Sequence, residues 1–253
     1  MGLTRLVAAL LAACLGQSSA TQEGPVSGYQ FLLPETQALQ DDDFANPGML
    51  WVEMGTQLWQ RPANNGTSCQ SCHGAPESMR GTGTHYPQWS ATQNRIISLE
   101  QQINICRSER QQEPAFAYSS DELNALNVLV MHQSRGLPMS VATDGPAAQA
   151  IARGKRYFET RRGQLNLACS SCHVDHVGDR LRGEPISQGQ VNGFPIYRQL
   201  WQDIGSVGRM IAWCNDAVRA EPLAEGSQMA VELEIYLRSR GAGLLVETPA
   251  LRR

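Results

Sequence analysis

A surplus of basic residues is missing from this sequence. Its 21 Lys and Arg stand against 24 Asp and Glu, a net charge of −3, so it has no electrostatic footprint for nucleic acid. Removing residues 1–20 takes away only Arg5 among the charges and leaves 20 basic against 24 acidic residues, a net of −4. A second long apolar run is also missing. After residue 20 no stretch approaches the ~18 apolar residues that cross a bilayer, which excludes a transmembrane protein. Strand signals are weak throughout, so the chain reads as mainly α.

The one apolar stretch lies at the start. Arg5 forms a positive n-region, Leu6 to Leu15 a short apolar segment, and Ser18-Ser19-Ala20 a small-residue cleavage site. Residues 1–20 therefore read as a secretory signal peptide. Leu11-Ala12-Ala13-Cys14 offers a competing reading, a lipoprotein signal with Cys14 as the lipidated residue. Either reading sends the chain out of the cytoplasm, and the expected compartment is the periplasm.

Seven cysteines and five histidines are present, and two groups of them repeat one pattern. Cys69-Gln-Ser-Cys72-His73 and Cys169-Ser-Ser-Cys172-His173 are both Cys-x-x-Cys-His. In that pentad two thiols add to the vinyl groups of haem, and the adjacent imidazole becomes an axial iron ligand. The expectation is two covalently bound haem c groups, through Cys69 and Cys72 with His73, and through Cys169 and Cys172 with His173. Covalent haem attachment takes place outside the bacterial cytoplasm, in agreement with the signal.

The surroundings of the motifs repeat as well. Gly55-Thr-Gln-Leu-Trp59 lies on a helical pattern and leads through a polar loop to Cys69; Gly154-Lys-Arg-Tyr-Phe158 leads similarly to Cys169. Each unit has a later helix: Glu122–Met131, which Ser119 or Ser120 can cap, and Ala230–Leu237, with Gly241 as its stop. The expected architecture is two tandem cytochrome-c-like domains, each around one haem. Their limits are a polar, mostly irregular N-terminal arm at 21–45, domain 1 at 46–137, a linker at 138–146 and a second, catalytic domain at 147–253.

Two cysteines remain beyond residue 20. Cys106 lies 33 residues after His73, and Cys214 lies 41 after His173. Three readings are open. The pair can form a disulfide, remain as buried thiols, or supply a distal iron ligand in each unit, since coordination deprotonates a thiol. Methionine is the usual distal ligand of small cytochromes, which makes Met131, Met139, Met210 and Met229 competitors. His85, His132 and His176 read as structural or surface groups. Around Cys214 a helix is expected to begin near Ser206 and end before Pro222, with Arg209 and Arg219 flanking the thiol as candidate anion binders. Met210, one turn before Cys214, shares its face; Arg209 reaches the thiol only if the helix starts late or its long side chain curls back.

Taken together, Cys69–His73, Ile103-Asn-Ile-Cys106-Arg, Arg135-Gly-Leu-Pro138, Cys169–His173, Cys214-Asn-Asp-Ala-Val-Arg-Ala-Glu-Pro222 and Gly243-Leu-Leu-Val-Glu-Thr-Pro249 resemble the SoxA family. These are the dihaem subunits of the SoxAX cytochromes of sulfur-oxidising bacteria. The resemblance covers nearly all of the chain after the signal. It implies an L-cysteine S-thiosulfotransferase that joins thiosulfate oxidatively to a cysteine of the SoxYZ carrier protein. The product is a cysteine S-thiosulfonate, and two electrons pass to cytochrome c. A SoxX-like monohaem cytochrome would be the partner in a heterodimer. By the same resemblance His73 and Cys106 ligate the first iron, and His173 and Cys214 the second, catalytic one. Cys214 would be the covalent participant, as a cysteine persulfide. The family places a substrate arginine one helical turn before that cysteine, where this chain has Met210; Arg209, one step away, is the candidate. Two other functions compete: a dihaem thiosulfate dehydrogenase that makes tetrathionate, and a non-enzymatic dihaem electron carrier.

Overall fold

The computed structural model of the protein describes residues 24–253. The expected signal peptide, residues 1–20, and Cys14 lie outside the described residues. Helix α1 (Pro34–Asp41) stands in the segment expected to be mostly irregular. Pro34 opens it at a position where a missing N–H costs nothing, and Glu35 suits the positive end of the helix. The arm is docked rather than loose. Gln40 Oε1 accepts from Leu251 N at 2.9 Å, and Asn46 Nδ2 donates to the Pro249 carbonyl at 2.9 Å.

Helix α2 (Met49–Gln60) leads to the short helix α3 (Cys69–His73), which carries the first haem motif. Helix α4 (Leu99–Glu109) carries Cys106 and starts at a reciprocal cap, Ser98 with Gln101. Helix α5 (Asp121–His132) is capped by Ser120, which accepts from Leu123 N. Leu123 through Met131 are all buried, so α5 is the central helix of its half. The second half repeats the plan with α6 (Gly145–Glu159), α7 (Cys169–His173), α8 (Val207–Ala217) and α9 (Gln228–Arg240).

One glycine sets the helix crossing in each half. A Cβ on Gly55 of α2 would lie 2.4 Å from the Ala125 carbonyl of α5. On Gly154 of α6 it would lie 2.0 Å from the Glu232 carbonyl of α9. Both distances are far inside van der Waals contact, so a larger residue would force the backbones apart. Four residues further on, Trp59 and Phe158 fill matching places in two core clusters.

Short strands join the halves, where the sequence offered little sign of them. Strands β1 (Gln88–Ser90) and β2 (Arg95–Ile97) form an antiparallel hairpin, as do β3 (Arg180–Leu181) and β4 (Glu184–Pro185). Strand β5 (Ile196–Arg198) lies between β6 (Asp203–Gly205), antiparallel, and β7 (Ala250–Arg252), parallel. Ile96 of β2 packs with Ala147, Ala150, Val231 and Ile235 of α6 and α9. In return, Leu244 and Val246 pack on the cluster of the first half. The segment expected as a linker is pinned in this exchange. Met139 N donates to Leu244 O and Ser140 N to Thr84 O, Met139 is buried, and α6 already begins at Gly145.

Candidate functional site

In the first motif, Ser68 caps α3 by accepting from Ser71 N, and Ser71 Oγ accepts from Ser68 N. That turn sets Cys69 and Cys72 on one short helix, the first half-buried and the second exposed. Trp59 Nε1 donates to the Gly74 carbonyl at 2.9 Å, and its ring stands 5.7 Å from the His73 ring. Cys106 reaches the same place from α4. Gln102 Nε2 lies 3.4 Å from its sulfur. The Cys69 thiol is pushed up to about 11, first by burial and then by the neighbouring Cys106.

The second motif is held more tightly. Ser171 Oγ accepts from Ala168 N at 3.1 Å, which closes the turn of α7. His173 Nδ1 lies 2.8 Å from the Ser187 carbonyl, where it can only donate. That assigns the proton to Nδ1 and turns the Nε2 lone pair outward, the form in which imidazole binds a metal. Burial holds the imidazole below its ordinary value, which favours the neutral ring. Gly189 closes over it: its φ is +69°, and a Cβ there would lie 2.8 Å from the His173 ring.

Cys214 stands on α8 within electrostatic reach of Cys169 and Cys172. Its thiol is pushed up to about 12, first by burial and then by Cys169, with Arg198 acting in the opposite direction. No disulfide joins Cys106 and Cys214. All six described cysteines are free, and they gather by halves, Cys106 toward Cys69 and Cys214 toward Cys169 and Cys172.

These groups fit haem c. Each half presents two thiols on one turn, the histidine that follows them, and a further thiol on a separate helix. Among the described residues no three or more of His, Cys, Asp and Glu converge as they would on a bare ion. Iron in a porphyrin asks the protein only for one or two axial donors.

Five of the other expected donors are engaged elsewhere. Met131 and Met139 are buried in the first-half core, and Arg238 Nη1 lies 3.8 Å from the Met139 sulfur. His85, His132 and His176 pair through Nδ1 with Ser140 O, Thr248 O and Asp179 Oδ2.

Arg209 is the third residue of α8, and its side chain turns back toward β6. Nη1 donates to Asp203 Oδ2 at 2.5 Å and to Ile204 O at 2.8 Å, and the guanidinium lies 4.5 Å above the Trp201 ring. Arg219 is exposed, with Nη1 3.5 Å from Gln164 Oε1. Three arginines that sequence reasoning missed stand around the second motif. Arg162 Nη1 is 3.7 Å from Cys169 Sγ. Arg240 lies 4.5 Å above Phe158 and donates to Gln188 O. Arg198 of β5 lies 3.9 Å above Trp213, the residue before Cys214, with Nη1 3.5 Å from the Met210 sulfur. No sequence signal marks Arg198, because only the pairing of β5 with its neighbours brings it to α8.

Residues 54–139 match the family model of the SoxA/TsdA cytochrome c domain. The L-cysteine S-thiosulfotransferase subunit SoxA of Rhodovulum sulfidophilum is 40% identical over 228 residues, 89% of this chain and 79% of that protein. The crystal structure of SoxXA from P. pantotrophus superimposes with a TM-score of 0.88 at 37% identity, covering 90% of this chain and 87% of that one. The thiosulfate dehydrogenase of Psychrobacter arcticus is more distant, 23% identical over 160 residues, 56% of this chain and 46% of that protein.

Proposed function

The chain belongs to the SoxA family of L-cysteine S-thiosulfotransferase subunits, and from that premise we propose how its own residues carry the reaction. The enzyme conjugates thiosulfate oxidatively to a carrier cysteine. In net terms the carrier S–H bond breaks, one S–S bond forms to the outer sulfur of thiosulfate, and one proton and two electrons leave.

Two tandem cytochrome-c-like domains, 46–137 and 147–253, would each hold one haem c. Cys69 and Cys72 would attach the first, with His73 and Cys106 as its iron donors. Cys169 and Cys172 would attach the second, with His173 and Cys214 as its iron donors. When bound, haem c supplies a one-electron acceptor beside the reacting sulfur.

Cys214 is the covalent participant, carrying one extra sulfur atom as a persulfide. That sulfur bonds the outer sulfur of thiosulfate as two electrons leave toward an electron-accepting cytochrome c. The carrier thiolate then attacks the same outer sulfur, the bond to the persulfide breaks, and Cys214 returns to its starting form. His173 is held by Ser187 and Gly189 with its donor nitrogen fixed, so the second site is preorganised.

The observation that carries this reading is the free Cys214 thiol beside the second motif's cysteines, on a helix that starts at the Ser206 cap. The partners are a SoxX-like monohaem cytochrome in a heterodimer and the SoxYZ carrier, in the periplasm. The electron-carrier alternative needs a methionine at each iron, and in the first half both candidates, Met131 and Met139, are core residues.

The test is to purify the complex with the small cytochrome, weigh the Cys214 peptide, and assay Cys214→Ala. One added sulfur atom and loss of conjugation are expected. A bare thiol together with full activity in Cys214→Ala refutes the reading. Tetrathionate made by the isolated chain would instead favour a thiosulfate dehydrogenase.

A further inference from the structure

We propose that Arg198 supplies the guanidinium that holds the oxyanion head of thiosulfate at Cys214, from a strand rather than from the cysteine's own helix. The inference rests on Cys214 being the reacting sulfur.

One turn before Cys214 stands Met210, which has no charge to offer an anion. Arg198 reaches that same position from β5, with Nη1 3.5 Å from the Met210 sulfur. A thioether is a weak acceptor, so a sulfonate oxygen would take its place readily. The guanidinium plane is set on two sides. It lies 3.9 Å above Trp213 and 5.0 Å from Trp201, and Nε donates to the Arg253 carbonyl at 3.3 Å. The backbone beneath it is fixed, since β5 is paired on both edges.

Among the described residues no Asp or Glu side chain pairs with Arg198, unlike Arg209, which is paired with Asp203. Arg162 stands at Cys169 and Arg240 over Phe158. Arg198 instead lies against Met210 and Trp213, the α8 residues one turn and one position before the Cys214 sulfur. A rigid, half-buried guanidinium with free N–H donors beside that sulfur suits a dianion with a tetrahedral SO3 head, which accepts two parallel hydrogen bonds. The nearby indole rings would leave the sulfane end of the anion against an apolar wall.

The test uses the complex with its small cytochrome and the variants Arg198→Gln, Arg198→Lys and Arg209→Gln. Thiosulfate binding is measured by calorimetry without an electron acceptor, beside KM and kcat for thiosulfate and for the carrier cysteine. Arg198→Gln is expected to raise Kd and KM for thiosulfate by about 10- to 100-fold, as loss of a charge-assisted pair of hydrogen bonds does. The KM for the carrier cysteine and the thiolate signature of the second haem in electron paramagnetic resonance stay as they are. Arg198→Lys restores charge without the fork and recovers part of the affinity. Thiosulfate Kd within about twofold of the parent in both Arg198 variants overturns the proposal, as does a larger rise in Arg209→Gln. The binding arm does not depend on the chemistry of Cys214. Full activity in Cys214→Ala would therefore defeat the underlying reading separately from this one.

Discussion

Replacing Glu100 by Gln should stabilise the protein above neutral pH and leave it unchanged in mild acid. Glu100 lies in the first turn of α4 and is only 8% exposed. Glu234 of α9 faces it, and Arg238 is engaged with Glu234 at 3.2 Å. The two carboxyls, with Ser98, Tyr118, Ser206 and Glu225, line a cavity of about 10 Å³, room for a single water. Burial first, and the Glu234 charge second, push the Glu100 carboxyl from 4.5 up to about 7; the Ser98 hydroxyl and Arg238 pull weakly the other way. The folded state therefore keeps a proton that the unfolded chain loses. Between about pH 4.5 and pH 7 stability falls as pH rises, and above that window the full cost remains. A rise of that size corresponds to about 3 kcal/mol as an upper bound. Gln keeps the shape without the charge. Thermal unfolding of the haem-loaded protein at pH 8 should then show Tm raised by up to about 6–12 °C, with the difference vanishing near pH 4.5. A Glu100→Gln protein whose Tm at pH 8 equals or falls below the parent's, with the same pH dependence, refutes the reasoning.

Gly154→Ala places a Cβ 2.0 Å from the Glu232 carbonyl, so α6 and α9 must separate. The cost of about 1–3 kcal/mol exceeds the gain of about 1 kcal/mol that alanine brings to a helix interior. Calorimetry should show a lower Tm, and a Tm equal to the parent's would remove the glycine from the crossing. Gly189→Ala meets both a left-handed backbone and the His173 ring. It should alter the absorption and paramagnetic spectra of the haem proposed at His173 while those of the haem proposed at His73 stay fixed. Equal changes at both would refute a local role for the 187–189 loop.

The long helices were legible because each announced itself twice, by apolar spacing and by a terminal signal. Ser120, Ser206 and Gly241 stand where those signals put them. The two Cys-x-x-Cys-His turns were legible because the pattern is compressed into five residues, and each folds as one short helix. The joints between the halves were not. Strands β5, β6 and β7 have three residues each, too few to show a period, and β5 pairs with a segment some fifty residues away. The 138–146 segment has linker composition, yet Met139 and Ser140 bond to partners known only from the fold. Arg209 was conspicuous by its place near Cys214; Asp203, six residues earlier, turns it away. Arg198 was inconspicuous for the opposite reason, since its proximity to Cys214 exists only in three dimensions.

The bond from Leu251 N to Gln40 spans 211 residues, and Val246 fills a core built from residues 58–139. This has a kinetic meaning. Closing so long a loop delays the contacts that reward it, and such topologies fold slowly. A chain emerging from its N-terminus would assemble α2 and α5 early. The apolar gap awaiting Leu244 and Val246 would stay open until the residues near 250 arrived. The first half would wait as an unfinished intermediate, exposed to proteases and to self-association, and the second half would finish both at once.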